Sequence, residues 1–337
     1  MSSRPHPAVA RVRLAVREFL DGEAASHLEG GEVCVAVSGG ADSLALAEAT
    51  AYAGRHRGLR VRALVVDHRL QAGSAEVAET AAKAALSLGA DSAEVLTVEV
   101  SGSGGPEAAA RRARYGALLS VDPALVLLGH TLDDQAETVL LGLGRGSGAR
   151  SMAGMRALDP PWGRPLLAVP RSITQAACTA LDVRPWQDPH NADPRFTRVR
   201  LRAEVLPLLE DVLSGGVAGA LARTAAQLRE DTEALDTLAD ELLARSRVPE
   251  RADQLDVTTL AAAPAAVRRR TFRRWLTDNG VRDLSDGHLR AVDALVHSWH
   301  GQGGVWLPGK LEAKRAHGRL SLISPDHGFP GSTTRGD

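Results

Sequence analysis

The sequence predicts an α/β fold, a doubly wound parallel sheet followed by a mainly helical C-terminal domain. Three observations predict it. Apolar runs at Val33–Val37, Arg60–Val66, Ala93–Val100, Ala124–Leu128 and Pro165–Val169 read as strands buried on both faces. Ala/Leu-rich segments near 43–53, 75–89, 106–120, 133–143 and 172–181 lie between or after them with helical spacing. After Leu209 the alternation stops, and helical patterns follow at 217–246, 264–279 and 286–299. Right-handed crossovers make the sheet doubly wound.

The elements follow in order. Val9, Val12, Val16, Phe19 and Leu20 recur at helical spacing, which predicts an amphipathic helix over 6–22. The five strand and helix pairs above complete a first domain over 1–213. Ser214-Gly215-Gly216 reads as a hinge before a second domain over 217–324. There Val305–Leu307, Leu311–Lys314 and Leu320–Ile323 predict a small antiparallel sheet, turned by Pro308-Gly309 and His317-Gly318. Residues 325–337 are rich in Gly, Pro and Thr and read as a disordered tail.

Composition narrows the function classes. Of 337 residues, 44% are hydrophobic but only 3% aromatic, so Ala, Val and Leu must build the core. A formal net charge of -1 does not announce a nucleic-acid binder, so local clustering has to carry any such argument. The clusters exist: Arg195, Arg198, Arg200 and Arg202; Arg268, Arg269, Arg270, Arg273 and Arg274; and Lys310, Lys314, Arg315 and Arg319. Each alone reads as a solvated face, and together they suggest one basic face. Cys34 and Cys178 are isolated and make no disulfide framework. No signal-peptide core and no apolar run of about 18 residues is present, so the expectation is a cytoplasmic protein with no membrane contact. A homodimer is left open.

The strongest local signal is Val35-Ala36-Val37-Ser38-Gly39-Gly40-Ala41-Asp42-Ser43-Leu44. A buried strand runs into two glycines, which let the backbone approach an anion, and then into a helix N-terminus with free N–H groups. Ser38 and Ser43 add hydroxyls. The loop lacks the Gly-Lys-Ser/Thr ending of a Walker loop. A glycine turn with Asp42 as a helix-start acid is the plain alternative. A second element, Gly129-His130-Thr131-Leu132-Asp133-Asp134-Gln135-Ala136-Glu137-Thr138, follows the fourth strand. His130, Asp134 and Glu137 at i, i+4 and i+7 share a helix face. Helix capping by Thr131 with Asp133 and Asp134, or a metal site, would also use these residue types. With strand order 3-2-1-4-5, the two elements face each other at the switch point where ligands bind.

Ser38-Gly39-Gly40-Ala41-Asp42-Ser43 resembles the pyrophosphate-binding loop (PP-loop) of the N-type ATP pyrophosphatases, a Rossmann-like group. Gly-His-x-x-Asp-Asp-Gln-x-Glu-Thr resembles, within that group, the tRNA(Ile)-lysidine synthetases. Val66-Asp67-His68-Arg69-Leu70, Ala110-Arg111-Arg112-Ala113-Arg114-Tyr115, Arg164-Pro165-Leu166-Leu167 and Phe196-Thr197-Arg198-Val199-Arg200-Leu201-Arg202 extend the likeness in the right order over 33–209. Arg69 replaces a family glycine, and Val199 and Leu201 also depart. The resemblance implies that Ser38, Gly39, Gly40, Ala41, Asp42, Ser43, Asp67, His68 and His130 hold ATP. It implies that Asp42 helps hold Mg2+, that Asp42 and Arg111 are catalytic, and that Asp134 and Glu137 hold lysine. Arg195, Arg198, Arg202, Arg269 and Arg273 are the expected tRNA contacts, and the partner is an isoleucine tRNA with a CAU anticodon. The implied reaction moves AMP onto the wobble cytosine O2, and lysine then displaces it. Rivals are another adenylating enzyme, such as a tRNA thiolase or NAD synthetase, or a non-catalytic nucleotide sensor.

Overall fold

The computed structural model describes residues 5–69, 73–101, 105–146, 148–188, 193–249 and 251–324, apart from the side chains of Pro106 and Glu107. The tail at 325–337 and residues 189–192 lie outside the described residues. The chain divides into two compact units, Met1–Leu228 and Arg229–Asp337. Ser214, Gly215 and Gly216, all at positive φ, form the turn before the helix in which that division falls.

The first unit begins with α1 (Pro7–Asp21), then β1 (Glu32–Ala36), α2 (Ala41–Arg57), β2 (Arg60–Asp67), α3 (Ser74–Ser87), β3 (Ser92–Thr97) and α4 (Pro106–Leu119). It continues with β4 (Val126–Leu127), α5 (Leu132–Gly144), α6 (Ala149–Met152), β5 (Leu158–Asp159), β6 (Trp162–Gly163) and α7 (Arg171–Ala180). The sheet order is β3-β2-β1-β4-β6-β5, parallel throughout except for β5 at the edge. Alternate residues of one strand serve opposite faces. Val33 and Val35 pack with α1, α2, α3 and α7, whereas Cys34 packs with Leu64, Val126, Leu128 and Leu118 of α4. Ala-rich helices approach this sheet closely, which is how a chain with few aromatics fills its core.

The expected strand Pro165–Val169 is not one. The fifth parallel position is taken by β6, and Leu166 and Val169 are buried in a turn, with Val169 N–H bonded to the Leu166 carbonyl at 2.9 Å. An apolar run signals burial and not its conformation, and Pro165 has no N–H for a ladder.

After α7 come α8 (Thr197–Arg200), a π-helical turn at Leu201–Val205, α9 (Leu206–Val212) and α10 (Val217–Ser246). The second unit adds β7 (Arg247–Val248), β8 (Arg251–Asp256), α11 (Val257–Ala261), α12 (Ala265–Asp278), α13 (Asp286–His297), β9 (Val305–Leu307), β10 (Leu311–Ala316) and β11 (Arg319–Ile323). Its sheet has five strands, two more than the pattern predicts. The sequence of β8 is polar and buries only Leu255, so no alternation betrays it. The expected hairpin at His317-Gly318 is present, with both residues at positive φ and Ala316 paired to Arg319. Trp275 and Phe272 of α12 centre the core against Leu289, Val292 and Leu295 of α13. No single helix among the described residues is long and apolar enough to cross a membrane.

Candidate active site

The site is built at the carboxyl ends of the parallel strands, where β1 leads to α2, β2 to His68 and β4 to His130. These ends line one cavity of about 1140 Å³ in the first unit, larger than a single small ligand needs. Ser38, Gly40, Ala41, Asp42, Ser43, Asp67, His68, His130 and Asp134 line it together, as expected of a switch point.

The loop after β1 is tied by its own serines. Ser38 N–H donates to Ser43 Oγ at 3.1 Å, and Ser43 Oγ donates to the Gly40 carbonyl at 2.9 Å. Gly39 needs its freedom, at φ +82°, and its carbonyl accepts the Trp186 N–H at 2.9 Å. The first residues of α2 have no side-chain cap, so their N–H groups stay available to an anion. Gly129 presses on the same loop: a Cβ there would lie 3.1 Å from the Asp42 carbonyl carbon and 3.2 Å from Ser43 N.

His130 precedes α5 instead of standing on it, because Thr131 is the N-cap. The capping reading of this segment is also true. Asp134 accepts the Thr131 N–H at 2.8 Å, and Asp133 accepts the Arg171 N–H at 2.8 Å, at the start of α7. Capping occupies Asp134 Oδ2 and leaves Oδ1 to face Arg171, and Glu137, fully buried, stands one turn on.

Two arginines bind these acids. Arg171 Nε meets Asp42 at 3.1 Å, its Nη2 meets Asp134 at 2.7 Å, and its Nη1 lies 3.7 Å from Glu137. Thr174 adds a hydroxyl to Asp42. Sequence reading missed Arg171, because it opens a helix directly after the segment taken for a strand. Arg202, expected on the tRNA face, instead enters the cavity from the π-helical turn, with Nε 2.8 Å from Glu137 and Nη2 3.4 Å from Asp134. Burial raises the Asp42 pKa above the ordinary carboxylate range, although Arg171 and Thr174 oppose it. For Asp134, burial pushes the same way, but Arg171 and the Thr131 N–H overcome it and hold the pKa low.

Burial also lowers the histidine pKa values, that of His130 to about 3, with nearby Arg114 acting in the same direction on both His130 and His68. Asp67 is buried and accepts the Arg69 N–H at 3.0 Å. Arg69 itself sits at φ +52°, the left-handed region that favours glycine, which explains what the substitution of the family's glycine costs here. Arg111 is exposed, donates to the Tyr115 hydroxyl at 3.1 Å and is not among the residues lining the cavity. Trp186, passed over in the sequence, does line it.

The other expected tRNA contacts are scattered. Arg195 is exposed and paired with Asp193 at 2.7 Å, and Arg198 is half-buried on α8. In the second unit Arg269 lies 3.8 Å from Asp293, and Arg273 donates to the Leu284 carbonyl at 3.5 Å. Arg268 of the same cluster is structural, buried against Asp293. Burial raises both cysteine pKa values to about 11, so neither thiol is poised as a nucleophile.

Among the described residues no group of three or more His, Cys, Asp or Glu could hold a metal ion by itself. Asp42 offers one carboxylate at the cradle, which fits a Mg2+ ion that is carried mostly by nucleotide phosphates.

Comparison with known proteins agrees with this fold. Residues 14–209 match the model of a PP-loop domain, and residues 255–321 match that of the TilS substrate binding domain. A tRNA(Ile)-lysidine synthase of Rhodococcus erythropolis is 57% identical over 322 residues, covering 94% of this chain and 96% of its own. One from Mycobacterium bovis is 57% identical over 310 residues, covering 91% and 93%. Among solved structures, the U34-tRNA thiolase NcsA from Methanococcus maripaludis shares the fold, with a TM-score of 0.55, 18% identity, and 66% and 80% of the two chains covered.

Proposed function

The chain belongs to the tRNA(Ile)-lysidine synthase family, and from that premise we infer that it joins lysine to C2 of the wobble cytidine of a CAU-anticodon isoleucine tRNA, with ATP as the activating substrate. One observation carries the reading beyond the likeness. A phosphate cradle (Ser38 to Ser43) and the Asp134 carboxylate, suited to an amine, line the same cavity, and Glu137, buried behind it, is tied to Asp134 through Arg171 and Arg202.

The chemistry follows from that juxtaposition. A cytosine carbonyl oxygen is a poor leaving group. In the first step O2 bonds to the α-phosphorus of ATP, and pyrophosphate departs with the electrons of the broken P–O bond. The N–H groups at the start of α2 stabilise the charge that develops on the phosphates. Asp42 is the residue that would help hold a Mg2+ ion, which would add to that neutralisation. In the second step the lysine ε-amine, as the free base, attacks C2. AMP leaves with the former O2, and the new C–N bond sheds its proton to water.

Asp134 and Glu137 hold the amino acid by its ammonium groups, for which the side chains of Arg171 and Arg202 compete. An anticodon base can be splayed into such a pocket because a single-stranded loop leaves it unstacked. The arginines of the second unit, Arg269 and Arg273, with Arg195 and Arg198 of the first, supply cations for the tRNA backbone. The test is mass spectrometry of nucleosides from an isoleucine tRNA incubated with the protein, ATP and lysine. Lysidine at the wobble position is expected, and unmodified cytidine in the presence of folded protein refutes the reading.

A further inference from the structure

We propose that Arg114, rather than Arg111, is the cation that meets the transferring phosphate of ATP, flanked by His68 and His130. The proposal rests on the adenylation reading above and assigns a residue within it. Helix α4 presents two arginines three residues apart, and the resemblance puts catalysis on the first. The packing puts the second in the cavity.

Leu118 anchors α4 on the sheet against Cys34, Leu64, Val126 and Leu128. One helical turn before it, Arg114 reaches the wall of the cavity that His68 forms after β2 and His130 after β4. A further turn back, Arg111 is exposed, and its guanidinium lies over the Tyr115 ring at 4.8 Å. Tyr115 in turn packs edge-on against Trp162, with centroids 4.6 Å apart, so Arg111 acts as a brace for that contact.

Three nitrogens in this wall are buried without a hydrogen-bond partner: Arg114 Nε, His68 Nδ1 and His130 Nδ1. They come from three separate elements. Buried polar groups are normally paired, so three unpaired ones together point to a ligand that pairs them. The charge pattern selects the ligand. Of the arginines lining the cavity, Arg171 and Arg202 already meet carboxylates, whereas Arg114 meets none among the described residues. Its guanidinium bonds to Tyr115 but faces no carboxylate, and a positive charge so placed suits an anion. The neighbouring histidines, held neutral by burial, can donate or accept one hydrogen bond without adding charge of their own. As the cytosine O2–phosphorus bond forms and the bond to pyrophosphate breaks, the non-bridging oxygens need such a fixed cation.

The experiment is tRNA-dependent pyrophosphate release by the full chain, comparing wild type with Arg114→Met, Arg114→Lys and Arg111→Met, with thermal melting of each. Arg114→Met is expected to lower kcat by about 10²- to 10³-fold, with KM for ATP changing much less. Arg114→Lys should recover part of the rate, because the charge returns without the planar fork. Arg111→Met, acting only through Tyr115, should lose much less. If Arg114→Met does not fold, Arg114→Lys decides: a reduced kcat at unchanged melting temperature supports the assignment. Wild-type rates in both Arg114 variants, or a larger loss in Arg111→Met than in Arg114→Met, overturn it. Wild-type protein that releases no pyrophosphate with tRNA overturns the adenylation reading itself, a result distinct from either.

Discussion

Glu137→Gln is the sharpest perturbation of the proposed amine site. The side chain is fully buried, and its oxygens lie 2.8 Å from Arg202 Nε and 3.2 Å from Arg202 Nη2, with Arg171 Nη1 at 3.7 Å. Glutamine keeps the shape and one acceptor but removes the charge. Unlike Asp134, Glu137 takes no part in the helix cap, so the change isolates the electrostatic role. A lysine ammonium that loses a buried carboxylate partner loses about 2–5 kcal/mol of binding, or about 30- to 5000-fold in affinity. The fold is affected less. Arg171 keeps Asp42 and Asp134, and Arg202, 35% exposed, can turn to water, so about 1–3 kcal/mol of stability is at stake. The assay is single-turnover: adenylated tRNA is formed with saturating ATP, and its consumption is then followed against lysine concentration. Intermediate should accumulate, and the lysine dependence should shift to far higher concentration. Unchanged lysine dependence would refute the reasoning and leave Glu137 as a structural partner of Arg202.

Other expectations follow from the same geometry. Asp42→Asn should abolish pyrophosphate release while the protein stays folded, checked by circular dichroism; wild-type release would remove Asp42 from the mechanism. Gly129→Ala should slow adenylation more than it lowers melting temperature, because its Cβ presses on the backbone of Asp42 and Ser43, and a kinetic comparison with wild type checks this. Arg269→Ala and Arg273→Ala should each weaken tRNA binding and reduce the slope of log affinity against log salt by about 1, with KM for ATP unchanged, in a filter-binding titration. His130 is neutral in the fold and has a lowered pKa, so the unfolded state takes up a proton first as pH falls. Its contribution to stability is present above about pH 6.5 and is lost progressively below it, by up to about 1.4 kcal/mol per pH unit. His130→Asn should therefore flatten the acid limb of the melting-temperature profile.

The alternation of apolar runs with helical segments made the parallel sheet legible, because burial on both faces leaves a continuous signature in one dimension. The loop from Ser38 to Ser43 and the acids Asp134 and Glu137 were equally legible, since glycines after a strand and carboxylates one helical turn apart keep their meaning locally. Strand β8 and the turn at Pro165–Val169 were not. A polar strand shows no alternation, and an apolar turn looks like a strand.

The sequence by itself determined which groups the protein has to offer a nucleotide and, as proposed, an amine, and the order in which they occur. Only the tertiary structure decided what each charge faces. Arg171 and Arg202 lie 37 and 68 residues from Asp134 along the chain, yet both meet it. Arg111 and Arg114, three residues apart, are divided between solvent and cavity. The physical reason is that residue type and local spacing fix a side chain's charge and its helix face. Its partner is set by where packing places that face, and the anchoring of α4 through Leu118 against the sheet is a long-range event that no local pattern records.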